Sequence, residues 1–186
     1  MNRIRDGWLQ TARRCISPNQ DERPVDAKLD LLVIHNISLP PGQYGGAWIE
    51  DLFLNRLDTA AHPYFAGIAG LRVSAHLLIR RDGELVQFVP FHRRAWHAGV
   101  SSYQGRTACN DYAIGIELEG SDDEPFADVQ YRRLAAVTQT LVQAYPDITP
   151  ERIVGHSDIA PGRKTDPGPF FDWARYRTDL MSPTTA

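Results

Sequence analysis

The run Leu29-Asp30-Leu31-Leu32-Val33-Ile34 constrains the fold more than any other stretch, because a nearly continuous apolar segment of this length suits a strand buried on both faces. A strand of that kind needs packed layers on either side of its sheet. A second strand is predicted at Ala113-Ile114-Gly115-Ile116-Glu117-Leu118-Glu119, whose alternation sets Ile114, Ile116 and Leu118 on one face and Glu117 and Glu119 on the other. Apolar runs at Val73–Ile79 and Glu84–Val89 flank Asp82-Gly83, a hairpin signal. Arg152-Ile153-Val154 reads as a further short strand. Helical spacing recurs from Ala47 to Leu57, and again from Asp128, an expected N-cap, to a stop at Pro146. Phe170 to Leu180 reads as a last helix anchored by Trp173 and Tyr176. Strands and helices are intermixed, so an α/β domain is expected: a central mixed β-sheet flanked by α-helices, with long loops forming a cleft.

A length of 186 residues suits a single domain with its own core. Residues 1–28, rich in turn formers, read as an N-terminal arm packed on a domain spanning 29–180, followed by a loose tail at 181–186. With 20 Lys+Arg against 23 Asp+Glu the net charge is −3, which suggests no nucleic-acid partner and no attraction to membranes. No stretch approaches the roughly 20 apolar residues of a membrane span. The first ten residues lack the apolar core of a secretory signal, and two cysteines, Cys15 and Cys109, form no disulfide framework, so a cytoplasmic protein with reduced thiols is expected.

Chemistry concentrates at Gly155–Pro169, where Pro161, Pro167 and Pro169 restrict the backbone and Gly162 and Gly168 allow tight bends. This reads as a shaped loop rather than a helix. His156 and Asp166 can face one centre, and His35, at the end of the first strand, is the natural third group. Two imidazoles and a carboxylate suit zinc and leave a position open for catalysis. Zinc lowers the pKa of water to roughly 7, which is hydrolytic chemistry. A histidine at a strand end is equally a hydrogen-bonded structural residue. Glu117 can serve as a general base or belong to a solvated strand face, and Lys164 can stabilise an oxyanion or be a surface lysine. Asn36 beside His35, Trp96 and His97 in an irregular segment, and Arg72 and Arg106 as carboxylate clamps are the expected substrate-binding residues.

Several segments together carry a family resemblance: Leu32–Gly42, His62–Ile68, Val73–His76, Arg80–Glu84, Ala95–Tyr103, Gly115–Gly120 and Arg163–Pro169. Over about Gly7 to Arg177 the chain resembles the AmpD group of zinc N-acetylmuramyl-L-alanine amidases, within a wider family that includes phage lysozyme-type amidases and peptidoglycan-recognition proteins. The resemblance implies a metal site of His35, His156 and Asp166, with Glu117 and Lys164 as acid-base and oxyanion groups. Phage-type relatives carry a tyrosine where this chain has Ala75, which leaves that role to Glu117. Asp166 stands where other members carry a cysteine ligand, so Cys109 is not needed for metal. The implied reaction is cleavage of the amide between 1,6-anhydro-N-acetylmuramic acid and L-alanine in small recycled muropeptides by a monomeric cytoplasmic enzyme, which in some bacteria implies control of β-lactamase induction through the muropeptide pool. A muropeptide-binding module without turnover and an exported autolysin are the competing readings.

Overall fold

The computed structural model describes residues 3–182. Six strands form the central sheet: β1 (Arg13–Arg14), β2 (Leu31–Ile37), β3 (Leu77–Ile79), β4 (Leu85–Gln87), β5 (Ala113–Glu119) and β6 (Ile153–Gly155). Their order is β6-β2-β5-β3-β4-β1, and every neighbouring pair is parallel except the β3–β4 hairpin. Two-residue strands elsewhere form small separate ribbons.

The expected mixed sheet is present, and the parity of β2 and β5 explains its layers. Even-numbered residues, Leu32, Ile34, Ile114, Ile116 and Leu118, face a core closed by α3 (Asp128–Ala144) and α5 (Trp173–Met181). Leu134, Val137, Leu141 and Tyr176 fill that layer, and the Tyr176 and Thr138 hydroxyls meet at 2.8 Å. Burying each such aliphatic side chain contributes about 1.5–3 kcal/mol. On the other side, α1 (Trp48–Phe53) and α2 (Pro63–Ala66) cover Leu78 and Val86. Odd-numbered residues of β2 and β5 change character along the strand, from Leu31, Val33 and Ala113 in a small apolar cluster to His35 and Glu117 beyond it.

Several boundaries differ from the sequence reading. β2 runs through His35 to Ile37, so the histidine lies within the strand, paired with Glu117 of β5 and one residue past the end of the β6 pairing at Ile34. Val73–His76 is not strand, and the helix expected over Ala47–Leu57 ends at Phe53, leaving Leu57 outside it. Ala127, not Asp128, is the N-cap of α3; Asp128 is the first helical residue and pairs with Arg175 at 2.6 Å. The Gly155–Pro169 loop contains one helical turn, α4 (His156–Ile159). The odd face of β5 is not solvated: Glu117 is 8% exposed and Glu119 2%.

The N-terminal residues continue the sheet, because Arg13–Arg14 pair with Val86–Gln87 and the buried Gln87 amide donates to the Gly7 carbonyl. Further on, Arg23 donates to the carbonyls of Asn110, Asp111, Phe91 and Ala113. Of the expected tail, Met181 ends α5 and Ser182 follows it; residues 183–186 lie outside the described residues, as do Met1 and Asn2.

A buried charge network holds one loop to this frame. Glu50 accepts from Arg13 at 2.7 Å and from Arg80 at 2.7 Å, and Arg80 also reaches Glu119 at 3.2 Å and the Gly46 carbonyl. Glu119 accepts from the Gly45 amide, so the loop before α1 is pinned to the ends of β3 and β5. Arg13 and, less strongly, Arg80 hold the Glu50 carboxyl down to about 2 against the opposing effect of burial. A carboxylate with a depressed folded-state pKa stabilises the fold above its unfolded value and loses that contribution as pH falls through the folded one. Glu50→Gln should therefore flatten the loss of stability between about pH 4.5 and pH 2, measured as urea midpoints across pH. An unchanged acid slope would remove Glu50 from this role.

Candidate active site

Three adjacent parallel strands deliver the central side chains at one level. Glu117 of β5 is in register with His35 of β2, and Gly155 of β6 pairs with Ile34, so His156 follows beside His35. Parallel neighbours lie about 4.8 Å apart, which brings side chains on one face within contact range. Asp166 returns to this row because the Ser157 amide donates to the Asp166 carbonyl at 3.0 Å, closing the loop on itself. Positive φ at Gly162 and Gly168 makes the turns of that closure, and Gly168 packs so tightly on Asp122 that a Cβ would lie 2.5 Å from its carboxylate.

His35 Nδ1, His156 Nδ1 and Asp166 Oδ2 form a triangle with every edge 3.0 Å. Both histidines are buried and the aspartate is half-buried. The outer nitrogen of His156 lies 3.1 Å from the Ala98 carbonyl, which can only accept, so that nitrogen carries a proton and Nδ1 is the nitrogen left for a ligand. His35 Nε2 meets His97 Nδ1 at 2.9 Å. Burial pushes the His35 imidazole down to about 4, only partly offset by Asp166, so it is neutral at ordinary pH. Burial also pushes Asp166 upward, but its contacts with His156 and His35 more than offset this and hold the carboxyl well below the usual range.

Electron-rich atoms thus converge with too few protons to share. Donors about 2.0–2.1 Å from a common tetrahedral ion stand about 3.3 Å apart, close to the 3.0 Å edges found here. The set fits a divalent cation, and it is the one such group of three among the described residues.

Glu117 is buried beside this triangle, and its Oε2 has no hydrogen-bond partner. Burial raises its pKa well above the normal carboxylate value, Asp166 adds to the rise, and Lys164 opposes it. The triangle and Glu117 open onto a cleft of about 540 Å³. Leu39, Pro41, Tyr64, Ile68, Leu71 and Val73 give the cleft apolar lining, while Asp122, Asp123, Arg163 and Lys164 line it with charge. Lys164 is exposed there, and Arg163 donates to the Ala98 and Val100 carbonyls at 2.7 Å.

The other expected binding residues are dispersed. Asn36 lines the cleft, yet its amide donates to Asp122 at 2.6 Å and to the Pro167 carbonyl, tying β2 to both flanking loops. His97 also lines the cleft but lies behind His35, 9% exposed. Trp96, Arg72 and Arg106 are not among the lining residues. Arg106 is paired with Asp30 at 2.5 Å and stacked over Tyr112, while Arg72 is exposed between two residues that do line the cleft. Sequence reasoning missed the apolar lining on and after α2, whose signal was the recurrence of large side chains at Tyr64, Ile68, Leu71 and Val73 around Gly67 and Gly70.

The chain has counterparts among known proteins. Residues 25–169 match the family model described as N-acetylmuramoyl-L-alanine amidase. The 1,6-anhydro-N-acetylmuramyl-L-alanine amidase AmpD of Escherichia coli K12 is 62% identical over 182 residues, covering 98% of this chain and 99% of the relative. A crystal structure of an AmpD selenomethionine derivative, 63% identical, superposes with a TM-score of 0.93 over 95% of this chain and 98% of that one. The E. coli amidase AmiD, solved with the substrate anhydro-N-acetylmuramic acid-L-Ala-D-γ-Glu-L-Lys, gives a TM-score of 0.58 at 28% identity, covering 96% of this chain and 65% of that one. By family match and by near full-length similarity, this chain belongs to the N-acetylmuramoyl-L-alanine amidase family.

Proposed function

We propose that the chain is a zinc-dependent amidase that hydrolyses the bond between 1,6-anhydro-N-acetylmuramic acid and L-alanine in small muropeptides, as part of cytoplasmic peptidoglycan recycling. The carrying observation is the 3.0 Å triangle of His35, His156 and Asp166 beside a buried, partly unpartnered Glu117. Near full-length similarity to AmpD supports the substrate. A cleft lined by both apolar and charged side chains suits an amphipathic glycopeptide. Among the described residues no helix is long and apolar enough to cross a membrane.

His35, His156 and Asp166 are the proposed ligands. Zinc, when bound, supplies Lewis acidity that polarises a carbonyl and acidifies water. Glu117 takes the proton of the attacking water and returns it to the departing amine of L-alanine; its raised pKa brings it toward the range where both transfers are feasible near neutrality. Lys164, at the cleft surface, places a positive charge beside the oxyanion that develops on the carbonyl oxygen. Asn36 holds the loops that frame the cleft through Asp122 and Pro167.

Treatment with a chelator should abolish release of the stem peptide from anhydro-muropeptide, and zinc should restore it. Asp166→Ala should lower bound zinc as well as rate; full activity of metal-free protein, or unchanged zinc stoichiometry in the variant, would overturn the ligand assignment. Glu117→Ala should retain zinc while turnover falls by about 100- to 10,000-fold, and a near-normal rate would remove its acid-base role. Because Lys164 lowers the Glu117 pKa, Lys164→Ala raises it further, so more base is protonated at a given pH. The acid limb of kcat/KM should therefore move to higher pH in that variant. An unmoved limb would separate Lys164 electrostatically from Glu117.

A further inference from the structure

The outer nitrogens of the two proposed histidine ligands are met by consecutive residues of one irregular segment. His156 Nε2 reaches the Ala98 carbonyl at 3.1 Å, and His35 Nε2 reaches His97 Nδ1 at 2.9 Å. This segment is braced. The backbone amides of His97 and Ala98 both donate to Asn110 Oδ1, at 3.1 and 2.8 Å, and the Ala98 carbonyl also accepts from Arg163. The His97 ring lies against β5 where Gly115 leaves room for it; a Cβ there would lie 2.5 Å from the ring. Glycine at 115 is thus required by close packing of an imidazole.

A carbonyl accepts only, so the partner of His156 is unambiguous. An imidazole nitrogen either accepts or donates, and the two cases have opposite consequences for His35. Were His97 Nδ1 to donate, His35 would carry its proton on Nδ1, pointing into the triangle. Were it to accept, His35 Nε2 would carry the proton and Nδ1 would be free to ligate. In that second case neutral His97 holds its own proton on Nε2, an atom that is buried and has no protein partner.

We propose that His97 is a positioning residue that accepts the His35 Nε2 proton, fixing the tautomer and ring orientation in which His35 Nδ1 can bind the metal. The inference rests on the ligand assignment above and extends it to a residue that the sequence placed among the substrate-binding groups. Metal binding and the His97 tautomer are then linked: the ion selects the state in which His97 presents Nε2–H, and a His97 locked in that state favours the ion.

Zinc affinity, measured by competition with a chromophoric chelator, tests this in wild type, His97→Leu and His97→Asn. Leucine removes the acceptor at similar bulk, whereas the asparagine carbonyl can stand near the place of Nδ1. His97→Leu is expected to weaken zinc binding by about 10- to 100-fold, with His97→Asn within about threefold of wild type. Equal affinity of His97→Leu and wild type would overturn the positioning role, as would an asparagine variant as weak as the leucine one, since that indicates packing alone. Absence of zinc binding by wild type would instead overturn the ligand assignment itself. A long-range 1H–15N spectrum of zinc-loaded wild type gives a readout independent of either variant's folding: the Nε2–H tautomer of His97 is expected, and the Nδ1–H tautomer would overturn the proposal.

Discussion

The parallel registration of β6, β2 and β5 is the constraint on which the rest depends. It sets His156, His35 and Glu117 at one level, with His35 registered on Glu117 and the residue before it, Ile34, registered on Gly155. A strand interior has little freedom, so the proposed ligand and the proposed base cannot drift apart without breaking the sheet. Only Asp166 and Lys164 come from irregular chain, and there the loop is closed by backbone bonds from Ser157 to Asp166 and from Lys164 to Ala160.

That arrangement concentrates unfavourable electrostatics. Nδ1 of His35 and Nδ1 of His156 each stand 3.0 Å from the Asp166 carboxylate and from one another, and Glu117 stands beside them with an unpartnered oxygen. Buried groups left in such a state cost free energy that a divalent cation and a substrate relieve. The surrounding frame carries this cost: apolar layers on the even face of the sheet, and the Glu50–Arg80–Glu119 network holding the loop before α1. A site of this kind requires a rigid surround, because relaxation toward satisfied hydrogen bonds would dismantle it.

Much of this was legible in one dimension. Alternation in Ala113–Glu119 separated the core-facing isoleucines from Glu117, and Asp82-Gly83 marked the hairpin, where Gly83 has φ of 87°. The convergence of His35, His156 and Asp166 followed from their residue types and from family resemblance. Less legible was burial: Glu117 and Glu119 read as a solvated face because alternation reports which side a residue takes, not what covers that side. Covering loops at 40–46 and 91–111 have no periodicity to announce where they lie. Arg106 read as a substrate clamp for the same reason, since its pairing with Asp30 spans 76 residues.

The sequence by itself determined the layered α/β class and the set of residues able to do hydrolytic chemistry, because periodicity and residue type are local properties. Tertiary structure alone decided that β2 carries His35 inside a strand, that Asn36 ties loops together and that His97 meets the outer nitrogen of His35. Those outcomes depend on strand order, register and loop closure. Each is fixed by contacts between residues far apart in the chain, which no local pattern encodes.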